Sequence, residues 1–235
     1  MPDPVLILTA MPEEAEPVRS RLEDPRELDC PLGLVSVTSG RLSGRSAIVA
    51  TTGIGIAAAA ATTTWAILTH RPRLVINGGS AGGLAADLEV GSVVVGESYA
   101  YSIADATAFG YAPGQVPGGP ERFGSDDALV GMAEAAARRA VATEVAVRRG
   151  LMLSGDAFVT AAIAEPMRER FPGALSADME TTAIARTCAA LDVPFLALRA
   201  VSDLCGPAAG QQFHLELDLV AERSAAAVEQ VIASF

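Results

Sequence analysis

Short apolar runs recur along the chain, each followed by a helical or glycine-rich segment, and this alternation predicts an α/β protein. Residues 5–10 form the first run, a buried strand, and Pro12 stands where a proline opens a helix. Residues 34–38 and 47–51 read as paired strands around a turn-rich 39–46. An alanine-rich helix over 53–69 ends at Pro72. Residues 74–77 then form a strand running into Gly78-Gly79-Ser80-Ala81-Gly82-Gly83, and 92–95 another strand. Residues 102–124, with five glycines and three prolines, predict a long loop. The second half repeats the pattern: helix 126–141, strand 145–153, helix 160–171, strand 174–178, helix 180–191, strand 194–201 and a closing helix 214–234.

No linker-like stretch divides the chain and no internal repeat is apparent, so the expectation is one domain over 1–235. Its architecture is a three-layer sandwich, with a central mixed β-sheet flanked by helices. In such sheets ligands gather at the carboxyl ends of the strands. Those ends carry Ala10-Met11 with Glu13 and Glu14, Gly79-Ser80, Gly155-Asp156-Ala157-Phe158, Asp178-Met179-Glu180 and Ser202-Asp203. Polar and carboxylate groups are concentrated at one margin.

Composition narrows the classes. Half of the 235 residues are hydrophobic, enough for a substantial core without disulfide or metal support. A net charge of −11, from 17 basic and 28 acidic residues, argues against a nucleic-acid partner. Cys30, Cys188 and Cys205 are odd in number and lack CxxC spacing, as expected of free thiols in a reducing compartment. The first apolar run is too short to span a membrane and no basic segment precedes it, so a cytoplasmic location is expected.

Each acidic candidate has a plainer reading. Glu13, Glu14 and Glu16 open a helix, where carboxylates favour the dipole by about 0.3–1 kcal/mol. One of Asp178 and Glu180 can cap the following helix, and Asp is the better cap, which frees Glu180 to face a cleft. Asp203 emerges from an apolar strand, where shielding raises a carboxyl pKa toward that of a proton donor, yet it can also cap a loop. Gly78 to Gly83 suits either a flexible turn or a backbone nest for a ligand, and it does not fit the GxxxxGK[ST] phosphate loop. His70 and His214 belong to no zinc-spaced cluster, and there is neither a GxSxG elbow nor a Ser-His-Asp set.

Taken together, Ala10-Met11-Pro12-Glu13-Glu14, INGGSAGGLAADLEVGSVVV (76–95), ATAFGYAPGQVPG (106–118), SGDAFV (154–159), ADMETTAIA (177–185) and LRAVSDL (198–204) resemble the 5′-methylthioadenosine/S-adenosylhomocysteine nucleosidases of the purine nucleoside phosphorylase superfamily. The resemblance implies hydrolysis of an N-glycosidic bond without metal or cofactor. It makes Glu14 the base that activates water, with Ser80 and Arg199 helping to hold that water. Glu180 corresponds to the acid that binds the ribose hydroxyls, with Met179 against the sugar, and Asp203 to the acid that protonates adenine at N7, steadied by Ser202. Phe158 stacks on the base and the backbone of Val159 reads its Watson–Crick edge, while Met11 and Ile54 are wall residues. Phe109 and Pro117 correspond to residues entering the neighbouring subunit's site, which implies a homodimer acting on an adenine nucleoside.

The chemistry agrees with these assignments. Adenine leaves poorly as an anion and needs a proton, the ribosyl fragment becomes cation-like, and water needs a base. A phosphorylase would place arginines or a glycine nest where this chain has Met11-Pro12-Glu13-Glu14, so hydrolysis is favoured. The alternatives are a sibling nucleosidase acting on aminodeoxyfutalosine, a purine nucleoside phosphorylase, and a non-catalytic nucleoside-binding protein. The chain departs from the family pattern at Ser102-Ile103, at Asp178 in place of a more usual glutamate, and most at 205–214, where His214 stands near the position of a pocket-closing aromatic residue.

Overall fold

A computed structural model describes residues 3–33 and 35–235 of the chain. At its centre lies β1 (Val5–Thr9), every residue of which is buried. Val5 and Ile7 point into a core layer shared with α1 (Pro12–Arg19), α3 (Asp127–Ala140) and α6 (Ala209–Ala233). Leu6 and Leu8 point the other way, toward α2 (Ile56–His70) and α5 (Thr181–Ala190). Successive strand residues face opposite sides, so a strand between two helical layers must be apolar throughout. That requirement explains the run that opens the sequence.

β4 (Arg45–Thr51) and β5 (Leu74–Asn77) flank β1 in parallel, and β11 (Phe195–Asp203) pairs in parallel with β5. Beyond β4 lie β3 (Val37–Leu42) and β2 (Glu23–Leu28), both antiparallel to their neighbours. On the other side come β6 (Ser80–Gly83), β10 (Ala174–Asp178), β9 (Val147–Ser154), β7 (Val93–Tyr101) and β8 (Phe123–Gly124), completing a mixed sheet of eleven strands among the described residues. A further antiparallel pairing of β11 with β7 closes β11, β6, β10, β9 and β7 into a ring. α4 (Ala161–Arg170) seals that end through Ala164 and Met167, which pack with Leu84, Leu151 and Leu153. The three-layer α/β architecture expected from the sequence is the one found.

The departures are local. The expected strand 34–38 begins on Leu34, which lies outside the described residues, and β3 runs on to Leu42. The intervening turn shrinks to Ser43 and Gly44, both at positive φ (50° and 75°), a conformation suited to two-residue hairpins. β2, with Pro25 and a register shift between Glu23 and Arg26, was not expected. Nor was β6, whose residues read as a turn. Residues 102–124 contain only a 3₁₀ turn at Thr107–Phe109 and β8. α6 begins at Ala209, five residues before the expected 214. Among the described residues no helix is long and apolar enough to cross a membrane.

Candidate active site

The carboxyl ends of β1, β9 and β10, together with β6 and β11, converge on a cavity of about 320 Å³, at the small end of the range for small-molecule sites. Four buried acids line it: Glu14, Asp178, Glu180 and Asp203.

Glu14 sits in the first turn of α1, behind the proline at its start. Its Oε2 accepts from the backbone N–H groups of Ala10 (2.9 Å) and Met11 (3.2 Å). Oε1 accepts from the N–H and the hydroxyl of Ser80, at 2.8 and 2.7 Å. The bond to Met11, the residue preceding the helix, is half of a capping box, so Glu14 closes the helix end while lining the cavity. Glu13 is exposed. Gly79 makes the approach possible: its φ is +120°, and a Cβ there would lie 2.7 Å from the Glu14 carboxyl. A second serine fixes the same turn, since Ser224 on α6 accepts from Gly79 N–H at 2.8 Å and donates to Leu198 C=O at 2.9 Å.

Glu180 stands where β10 passes into α5. Oε1 accepts from Gly55 N–H at 3.0 Å and Oε2 from Arg199 Nη2 at 3.1 Å. Arg199, itself buried, donates from Nε to Ser80 C=O (2.7 Å) and from Nη1 to Asn77 Oδ1 (2.9 Å). Asp178 takes the capping duty expected of it. It accepts from the N–H groups of Glu180 and Thr181 at 2.9 and 2.8 Å, and from Ser154 Oγ at 2.8 Å. Asp178 and Glu180 thus share one buried guanidinium, with Asp178 3.8 Å from it. Burial pushes the Glu180 carboxyl up to about 7; Arg199 pulls it down and the Asp178 charge pushes it further up.

Asp203 ends β11. Its Oδ2 accepts from Ser202 Oγ at 3.0 Å and its Oδ1 from Cys205 N–H at 2.9 Å. Burial raises this carboxyl above the ordinary range, against the opposing pull of those two bonds. Cys205 lines the cavity from a left-handed backbone (φ 52°), and Gly82 leaves room for its sulfur, since a Cβ there would stand 2.6 Å from Sγ.

The remaining walls are apolar. Met11, Ile54, Phe158, Val159 and Met179 all line the cavity, as do Ser80, Arg199 and Ser202. Phe109 and Pro117 do not line it, and both are exposed, Phe109 at 84%. Cys205 and Phe213 are among the lining residues that the sequence does not mark as site candidates. From the sequence, Cys205 reads only as a free thiol. Phe213 meets Phe158 edge-on at 5.8 Å in the cavity wall, whereas its neighbour His214 is exposed and does not line the cavity. Earlier placement of the α6 start, which puts residue 213 on the helix, would have found it.

Comparison with known proteins defines the class first. The family model described as "Phosphorylase superfamily" matches residues 4–235. A 5′-methylthioadenosine/S-adenosylhomocysteine nucleosidase from Neisseria meningitidis, solved in complex with methylthio-immucillin-A, is 40% identical, with a TM-score of 0.94 over 99% of this chain and 100% of that one. The corresponding nucleosidase of Colwellia psychrerythraea 34H, in complex with adenine, is 32% identical with a TM-score of 0.93, covering 97% of this chain and 93% of that one. A mutant of the Helicobacter pylori enzyme with 5′-methylthioadenosine in its active site is 28% identical, with a TM-score of 0.91 over 100% of both chains. The chain belongs to the phosphorylase superfamily and, within it, to the 5′-methylthioadenosine/S-adenosylhomocysteine nucleosidases.

Proposed function

We propose that the chain hydrolyses the N-glycosidic bond of 5′-methylthioadenosine and S-adenosylhomocysteine, releasing adenine and the 5′-thioribose. The observation that carries this reading is the occupancy of the backbone cradle formed by Ala10, Met11 and Ser80. Converging N–H groups of this kind bind a free anion, but here the Glu14 carboxylate already fills them. A phosphate dianion would have to displace a tethered like charge, so water is left as the nucleophile.

The steps follow from three of those acids. Asp203, its carboxyl raised by burial, gives its proton to adenine N7 as the C1′–N9 bond breaks. Glu180 accepts the ribose 2′- and 3′-hydroxyls, and its ionised form stabilises the cation-like sugar. Glu14 takes a proton from water as its oxygen bonds to C1′. Ser80 orients Glu14, Arg199 holds Glu180 and shares with Ser80 the placing of the water, and Ser202 steadies Asp203. Phe158 stacks on the base, the backbone of Val159 reads its edge, Met179 packs against the sugar, and Met11 and Ile54 form part of the wall.

The active form in this reading is a homodimer in the cytoplasm, with Phe109 and Pro117 completing the partner's 5′ pocket. Their exposure, and that of Ile103 (61%) and Ile54 (57%), supports an apolar contact between copies. Adenine release from 5′-methylthioadenosine, with and without phosphate, tests the reaction. Equal rates are expected, and a phosphate requirement with ribose-1-phosphate as product would overturn it. Sedimentation of the parent and Phe109→Ala tests the dimer, a monomeric parent being the adverse result.

A further inference from the structure

α2 starts without a cap of its own. Gly55, at its N-cap position, has no side chain, and no acidic residue occupies the first turn. The leading N–H groups of a helix need partners from elsewhere. Two distant carboxylates supply them on adjacent amides. Gly55 N–H donates to Glu180 Oε1 at 3.0 Å, and Ile56 N–H donates to Asp156 Oδ1 at 2.7 Å. Asp156 belongs to the segment that presents Phe158 and Val159 to the cavity, yet it does not line the cavity itself. The backbone bonds that begin this segment run from Gly155 N–H to Asp178 C=O (3.1 Å) and from Ala157 N–H to Gly155 C=O (2.8 Å). The Asp156 side chain is what ties it across to α2. Gly55 is shaped for that approach: its φ is +103°, and a Cβ there would lie 2.8 Å from Asp156 Oδ1. That backbone and that approach leave no room for a capping side chain at position 55 itself. A cap brought from 100 residues away also joins two walls of one cavity.

We propose that Asp156 is a positioning residue: by capping α2 it sets the gap between Phe158 on one side and Ile54 and Glu180 on the other, and so the grip on the base. This rests on the function proposed above. Asp156→Ala is expected to raise KM for 5′-methylthioadenosine and the dissociation constant for adenine about tenfold, the scale of a lost helix cap, while kcat changes by no more than about twofold. Asp156→Asn keeps an acceptor oxygen and is expected to return both to within about threefold of the parent. Hydrogen exchange of the unliganded chain is expected to speed up at residues 155–160 and at 55–58 together in the alanine variant. A lowered melting temperature with parental KM and adenine affinity, or unaltered exchange at 155–160, would overturn the proposal. If the parent releases no adenine, the functional reading fails by itself, and exchange in the unliganded chain still decides whether Asp156 holds the segment.

Discussion

Ser80 binds one oxygen of Glu14 twice, through its amide at 2.8 Å and its hydroxyl at 2.7 Å. The other oxygen is held by the amides of Ala10 and Met11, so the carboxylate has four donors and little rotational freedom. Ser80→Ala removes one bond to a charged group, worth about 1.5–3 kcal/mol, and is expected to lower kcat by about one to two orders of magnitude with little change in KM. Glu14→Gln is expected to cost a factor of about 10²–10⁴, the range for a general base. Both are read from the rate of adenine release, and a parental rate in Glu14→Gln would assign the base elsewhere.

Asp203→Asn keeps the shape and the bond from Cys205 N–H but has no carboxyl proton to give. Turnover is expected to fall by a factor of about 10²–10⁴ while nucleoside affinity, measured by calorimetry, stays near the parent's. Near-normal turnover would remove Asp203 from the proton-donor role.

The pH dependence follows from Glu180, whose carboxyl burial pushes from 4.5 up to about 7. Between those values the folded chain holds a proton that the unfolded chain has lost, so this group makes stability fall as pH rises through the window, levelling off above it. The melting temperature of the unliganded chain is expected to decline from pH 5 to 7, and Glu180→Gln to flatten that decline. Ribose hydroxyls donating to Glu180 favour its ionised form. Nucleoside binding at pH 6, followed calorimetrically in buffers of different ionisation enthalpy, is therefore expected to release a proton. Proton uptake would contradict the assignment.

Gly79→Ala places a Cβ 2.7 Å from the Glu14 carboxyl on a backbone at φ +120°. A loss of about 1–3 kcal/mol in stability is expected from the strain, together with a fall in adenine release as Glu14 is displaced. Denaturant melts and steady-state assays check the two effects separately, and a variant with parental rate and stability would show that the turn has slack.

Much of this was legible in the sequence because the sheet is buried on both faces. β1, β5 and most of β11 read as strands because they are apolar runs, and Glu14 and Asp203, following β1 and ending β11, stand out against that background. β6 was hidden because its residues, Ser-Ala-Gly-Gly, lack the bulk that marks a strand. Their smallness has a steric cause, since a Cβ on Gly83 would lie 3.0 Å from Val201. β2 was hidden because a strand at the margin of a sheet needs no apolar face. The partners of the acids were the least legible. Nothing in the local sequence says that Arg199 joins Glu180 to Ser80, or that Asp156 reaches Ile56, because these contacts exist only once distant strands are in register.

The two margins of the sheet have a consequence for how the chain behaves at high concentration. Eleven strands rich in apolar residues offer a template for a twelfth, the first step toward fibrils. On one side β2 interrupts its hydrogen-bonding row with Pro25, a register shift and the exposed charges of Glu23, Asp24 and Arg26. On the other, β8 offers only two residues, too short a row to recruit a newcomer. Neither rim welcomes a further strand, so the polar β2 guards the molecule against its own sheet.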